Sequence, residues 1–167
     1  QALDAAVKNA ELNGLSDRIE VRAGSWYEAV KAGEWFDVII ATPPQTPGPR
    51  PFGPRYGGAD GAKHLLAVVE GAPARLDPER GRLWMVAITI ANVPEVMRRL
   101  RERFAKVDVM GETQRPFTSR DYDDLDPGLF EYLEALRARG ISDFHEAFGG
   151  EYVFRNLFIR AGGLRER

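Results

Sequence analysis

Apolar and polar positions along this chain follow two rhythms. From Ala2 to Asn13, Leu3, Ala6, Val7 and Ala10 recur at helical spacing, and Asn13-Gly14 supplies a C-terminal stop. Arg18–Ala23 alternates and predicts a short strand. Trp35–Ala41 is a nearly continuous apolar run, the pattern of a strand buried on both faces. Leu65, Leu66, Val68 and Val69 predict a helix that Pro73 kinks or ends. Asp77–Arg82 reads as a turn before a second buried strand, Leu83–Ile90. Asn92 then caps a helix, with Pro94 in its first turn and Glu95 at the capping-box position. Val96, Leu100 and Phe104 form its inner face, and Lys106–Glu112 reads as a further strand.

Strands separated by helices imply parallel pairing with right-handed crossovers. The expected fold is α/β, a doubly wound, mostly parallel sheet. After Glu112 the rhythm changes. A helix starts at Asp126-Pro127, carries Phe130, Leu133 and Leu136, and stops at Gly140. Tyr152–Arg160 then predicts a last strand without a full crossover before it, hence an antiparallel edge strand. The chain reads as one domain over 1–167, with an insertion at 114–150 as a possible lid or substrate element.

Composition narrows the function. Basic and acidic residues number 23 and 25, which argues against bulk duplex DNA as the main partner. There is no cysteine, so disulfides and thiolate metal sites are excluded, and no metal is required by the reading below. No apolar run reaches a membrane span and no signal peptide is visible. The expectation is a soluble, cytoplasmic domain with no membrane partner.

In open α/β sheets, ligands sit beyond the C-terminal ends of the strands. Two loops there have unusual residues: Gly24-Ser25-Trp26-Tyr27 and Thr42-Pro43-Pro44-Gln45. Two adjacent prolines remove two backbone donors and fix two φ angles. Nearby carbonyls therefore remain available as acceptors. The Pro43 carbonyl and the Thr42 side chain could hold both hydrogens of a substrate nitrogen and aim its lone pair, a gain from positioning. The bland reading is that Pro-Pro simply ends a strand.

These motifs, in this order, resemble class I S-adenosylmethionine-dependent methyltransferases. The resemblance is to the branch holding the release-factor glutamine methyltransferases (HemK type), the N6-adenine enzymes and the rRNA guanine enzymes. Thr42-Pro43-Pro44-Gln45 is similar to the Asn/Asp/Ser-Pro-Pro-Tyr/Phe motif of that branch. Gly24-Ser25-Trp26-Tyr27 is similar to its Asp-Trp-Phe loop, and Tyr56–Gly61 to its Gly-Gly-x-Asp-Gly segment. Asn9-Ala10 through Asn13-Gly14 and Leu76–Leu83 match its flanking helix end and strand entry. The resemblance covers Gln1 to Ile90.

It implies S-adenosylmethionine as cofactor and methyl transfer to a substrate nitrogen, in a protein, a nucleic-acid base or a small molecule. It implies Thr42, Pro43, Pro44 and Gln45 as catalytic residues, and Ser25, Trp26 and Ala41 as cofactor-binding ones. Three positions depart from the pattern. Ser25 stands where the family has an acid, Thr42 where it commonly has Asn, and Gln45 where an aromatic stacks on the target. The family's glycine-rich loop and ribose-binding acid would precede Gln1, so the chain is expected to be an N-terminally truncated domain that binds the cofactor poorly by itself. Two other readings stay open: a non-catalytic, methyltransferase-like binding subunit, and a nucleotide-binding oxidoreductase-type domain. Arg98, Arg99, Arg101 and Arg103 read as a solvated helix face, with RNA contact as the rival reading. His64 and His145 are expected to have no chemical role, and Phe117, Tyr122, Phe130, Phe144 and Phe148 to form core.

Overall fold

The computed structural model describes residues 2–165. The chain divides into two compact units, residues 1–34 and 35–167.

In the first unit, α1 (Ala2–Leu12) ends as its sequence directs. Gly14 takes a left-handed φ of 64° and Leu15 N–H donates to the Ala10 carbonyl, 2.9 Å. The strand expected over 18–23 does not form. A strand needs a neighbour for its backbone groups, and this stretch has no ladder partner among the described residues. Arg22 instead forks between Glu20 and Glu34.

The second unit is a five-stranded mixed sheet. β1 (Val38–Ala41) pairs in parallel with β2 (Arg82–Ile88), from Val38 opposite Arg82 to Ala41 opposite Met85. α2 (Lys63–Gly71) crosses between them, and Pro73 follows in a single 3₁₀ turn. α3 (Val93–Arg103) leads to β3 (Phe104–Thr118). α4 (Ser119–Asp123), α5 (Leu129–Ala138) and β4 (His145–Phe148) precede β5 (Glu151–Leu164). β5 runs antiparallel to β2, β3 and β4. It is not an edge strand: it lies between β2 and β3. The antiparallel direction was legible locally, whereas the lateral order depends on which neighbour offers the longer ladder, and β3 and β5 pair from Phe104–Leu164 to Thr118–Glu151. Residues 114–118 therefore belong to β3.

Parallel crossovers that advance the same way across a sheet place their helices on one face. Leu83, Met85 and Ala87 of β2 are buried on one face, as are Leu65, Val68 and Val69 of α2 and Val96 and Leu100 of α3. On the other face of β2, Trp84 and Val86 are half-buried, and neighbouring Ile40 is 77% exposed. So β1 and β2 are covered on one face, not both. A second helical layer across this sheet is not found among the described residues of this unit. Among the described residues of this unit, the C-terminal end of that face is covered. There Ile88 packs on an aromatic cluster of Phe117, Tyr122, Phe130, Phe144 and Phe154. Phe148, expected in the core, is 88% exposed beside the Gly149-Gly150 turn. Among the described residues no helix is long and apolar enough to cross a membrane.

Candidate active site

The candidate site in the second unit begins where β1 ends. Ala41 is half-buried, Thr42 and Pro44 are exposed, and Pro43 and Gln45 are buried. Thr42 and Ala41 border a groove of about 300 Å³ lined also by Ile40, Trp84, Val86 and Phe158. Neither the Thr42 hydroxyl nor the Pro43 carbonyl has a hydrogen-bond partner among the described residues.

Gln45 turns inward. Its Nε2 donates to the Val86 carbonyl and its Oε1 accepts from the Ile88 N–H, both at 2.8 Å. This anchors the loop to β2. The side chain sits inside the protein, where a stacking aromatic would have had to face a substrate.

Behind the loop runs the glycine segment. Thr46 N–H donates to the Arg55 carbonyl and Gly57 N–H to the Thr46 carbonyl, at 3.0 and 2.8 Å. A Cβ on Gly57 would lie 2.6 Å from Gln45 backbone atoms. One on Gly61, whose φ is +78°, would lie 2.4 Å from the Gln45 carbonyl oxygen. Only glycine allows this approach. Asp60 fixes the segment to α3: its Oδ2 accepts from Asn92 Nδ2 at 2.8 Å, and its carbonyl accepts from Asn92 N–H at 2.8 Å. Asn92 in turn caps α3 by accepting from Glu95 N–H, 3.2 Å.

Residues 119–150 contact the segment that follows this loop. Tyr132 Oη of α5 donates to the Ala59 carbonyl at 2.9 Å, and Arg50 pairs with the buried Asp126 at 2.7 Å. Phe52 packs on the aromatic cluster. Burial raises the Tyr122 hydroxyl pKa well above its ordinary value, so it stays neutral within that cluster. Asp126, Tyr132 and the Asp60–Asn92 pair were not legible as loop supports. Their partners lie tens of residues away, and the one local signal was the Asp within the glycine segment.

Ser25 and Trp26 belong to the first unit. Trp26 has φ 52°, the one non-glycine positive φ among the described residues, and is 42% exposed. For a bulky side chain this is an outlier costing on the order of 1–3 kcal/mol, a kind of strain that clusters at ligand sites. Glu28 folds back to accept from the Ser25 N–H, 3.1 Å. Tyr27 is pushed up to about 12 by burial.

The arginines of α3 are largely neutralised. Arg98 pairs with Glu95 and Glu102, and Arg99 and Arg103 both pair with Glu70 of α2. This matches a solvated, ion-paired face. Among the described residues no group of three or more His, Cys, Asp or Glu is placed to hold a metal ion.

The family model of the methyltransferase small domain matches residues 1–117. The chain is similar to the release factor glutamine methyltransferase of Bordetella pertussis, 36% identical over 93 residues, which are 48% of this chain and 33% of that protein. It is also similar to the release factor glutamine methyltransferase of Synechocystis sp., 29% identical over 121 residues, 65% of this chain and 40% of that protein. The chain thus spans between a third and two fifths of the length of these curated relatives. No solved structure matches it significantly. The loop that leaves β1, its glycine backing and these matches together assign the chain to the methyltransferase small domain family, among the HemK-like class I S-adenosylmethionine-dependent methyltransferases.

Proposed function

We propose that the whole protein methylates a side-chain amide nitrogen of a protein, with glutamine of a release factor as the first substrate to test. The observation that carries this reading is the pair of free acceptors at the end of β1. Pro43 is a buried residue whose carbonyl finds no donor among the described residues, and the adjacent exposed Thr42 offers a hydroxyl. An unpaired carbonyl in a buried residue is uncommon and fits a site completed by a ligand. The relatives' names supply the amide substrate.

S-adenosylmethionine, which the family implies, supplies an electrophilic methyl group when bound. The unpaired Pro43 carbonyl and the small, half-buried Ala41 fit a methyl donor and an amino acceptor meeting at this strand end. We assign Ala41 to the cofactor in the second unit, and Ser25 and Trp26 to its adenine in the first. Thr42 Oγ1 and the Pro43 carbonyl would each accept one amide hydrogen and turn the nitrogen toward the methyl group. No strong base is needed, since the gain is orientation. Pro44 would stiffen the turn, and Gln45 supports it from inside.

A non-catalytic binding role is the second reading, favoured by one observation: Gln45 is buried, so none of the four motif residues stacks on a target. One experiment separates the two. The whole protein is incubated with tritiated S-adenosylmethionine and a purified bacterial release factor, and the product is mapped by mass spectrometry. Label on a glutamine nitrogen is expected; binding without label would contradict the enzyme reading.

A further inference from the structure

The β1–β2 register has a consequence for the acceptor carbonyl. It pairs Ala41 with Met85, so two further residues of ladder would set Pro43 opposite Ala87. In a parallel ladder, residue 43 would then donate its N–H to the Val86 carbonyl and accept the Ile88 N–H on its own carbonyl. Proline has no N–H to donate. Those two β2 groups are the ones that the Gln45 carboxamide takes, each at 2.8 Å. The side chain therefore fills the ladder position that residue 43 vacates.

We infer that Gln45 is a positioning residue: its carboxamide satisfies β2 in place of the residue 43 peptide and so keeps the Pro43 carbonyl free for the acceptor nitrogen. The inference rests on the reading of Pro43 as an acceptor-holding group. Three observations support it. The Pro43 carbonyl has no partner among the described residues. The Gln45 backbone is held from behind by Gly57 and Gly61, which fixes where its side chain starts. The donor and acceptor ends of the carboxamide match the acceptor and donor that β2 presents. If Gln45 withdrew, Ile88 N–H would be left without its partner, and the Pro43 carbonyl is the acceptor that the register brings to it. The loop would then settle as ordinary strand, its carbonyl engaged.

Gln45→Leu removes both bonds at similar volume. Gln45→Glu keeps an acceptor always but a donor only when protonated, because a neutral carboxyl presents C=O and O–H as the amide presents C=O and N–H. In the whole protein, Gln45→Leu should lower kcat about 10- to 100-fold, with the calorimetric Kd for S-adenosylhomocysteine within about twofold. The activity of Gln45→Glu relative to wild type should rise as pH falls through the carboxyl pKa. A purely structural role predicts something else: losses in kcat and cofactor affinity that track thermal stability, with a Gln45→Glu ratio flat in pH. That result would overturn the inference. Amide hydrogen exchange gives a readout that does not depend on turnover. The Ile88 amide should be slow in wild type and slow again in Gln45→Leu, now protected by the Pro43 carbonyl, while Thr46 and Gly57 exchange faster. An Ile88 amide that turns fast in Gln45→Leu, or one equally slow in both proteins with Thr46 and Gly57 unchanged, would overturn the inference even if wild type transfers no methyl group. Absence of transfer by wild type alone would count against the proposed function, not against Gln45.

Discussion

The two candidate loops are held in different ways. The loop after β1 is fixed by partners far along the chain: β2 through Gln45, α3 through Asp60 and Asn92, and α5 through Tyr132. The loop at Ser25–Ala29 carries bonds close along the chain. Glu28 returns to Ser25, and Arg22 bridges to Glu20 and Glu34. The first loop is a rigid product of the whole second unit, suited to holding an acceptor. The second keeps a strained Trp26 beside these local bonds. Substitutions should separate the two, with large stability effects around the first loop and small ones around the second.

Gly61→Ala should have the largest effect. The new Cβ meets the Gln45 carbonyl at 2.4 Å and Ala91 at 2.8 Å, in a left-handed backbone. A loss of about 2–5 kcal/mol is expected, read by urea unfolding. A loss below about 0.5 kcal/mol would mean that the glycine segment does not brace the loop. Asn92→Ala removes both the bond to Asp60 and the cap on Glu95 N–H, and should cost about 1–2 kcal/mol. Tyr132→Phe removes one partly solvated bond to Ala59 and should cost about 0.5–1 kcal/mol, measured in the same way.

The smallest effect belongs to the first unit. The Arg22 guanidinium, followed by the Lys31 N–H, holds the Glu34 carboxyl down at about 2. Its folded pKa lies below its ordinary value near ~4.3, so its contribution is present above that ordinary value and is lost as pH falls toward about 2. Both side chains are partly solvated, so the loss is modest. A carbon-detected NMR titration of Glu34 should show the low midpoint, whereas an ordinary midpoint would remove Arg22 as a brace of this loop.

Much of this was legible in local pattern. The α2 and α3 helices, their Pro73 and Asn92 punctuation, and strands β1, β2 and β5 follow from periodicity. What local pattern hid depends on pairing. Residues 18–23 alternate like a strand but lack a ladder partner among the described residues. The extension of β3 through Gln114, Arg115 and Pro116 looks like loop, because polar residues and a proline sit there and only the long ladder with β5 holds it. At the site, the Pro-Pro scaffold was readable from Pro43 and Pro44 alone. The inward turn of Gln45 was not, because it answers an orphaned donor and acceptor on β2, 41 and 43 residues away.

The central claim is that Thr42 and the Pro43 carbonyl hold the acceptor nitrogen. Thr42→Val, which removes the hydroxyl and keeps the shape, tests it most directly in the whole protein. Methyl transfer to the release factor should fall about 100-fold, while S-adenosylhomocysteine affinity, measured by calorimetry, stays within about twofold. Equal losses in transfer and affinity, or no loss in transfer, would contradict the claim.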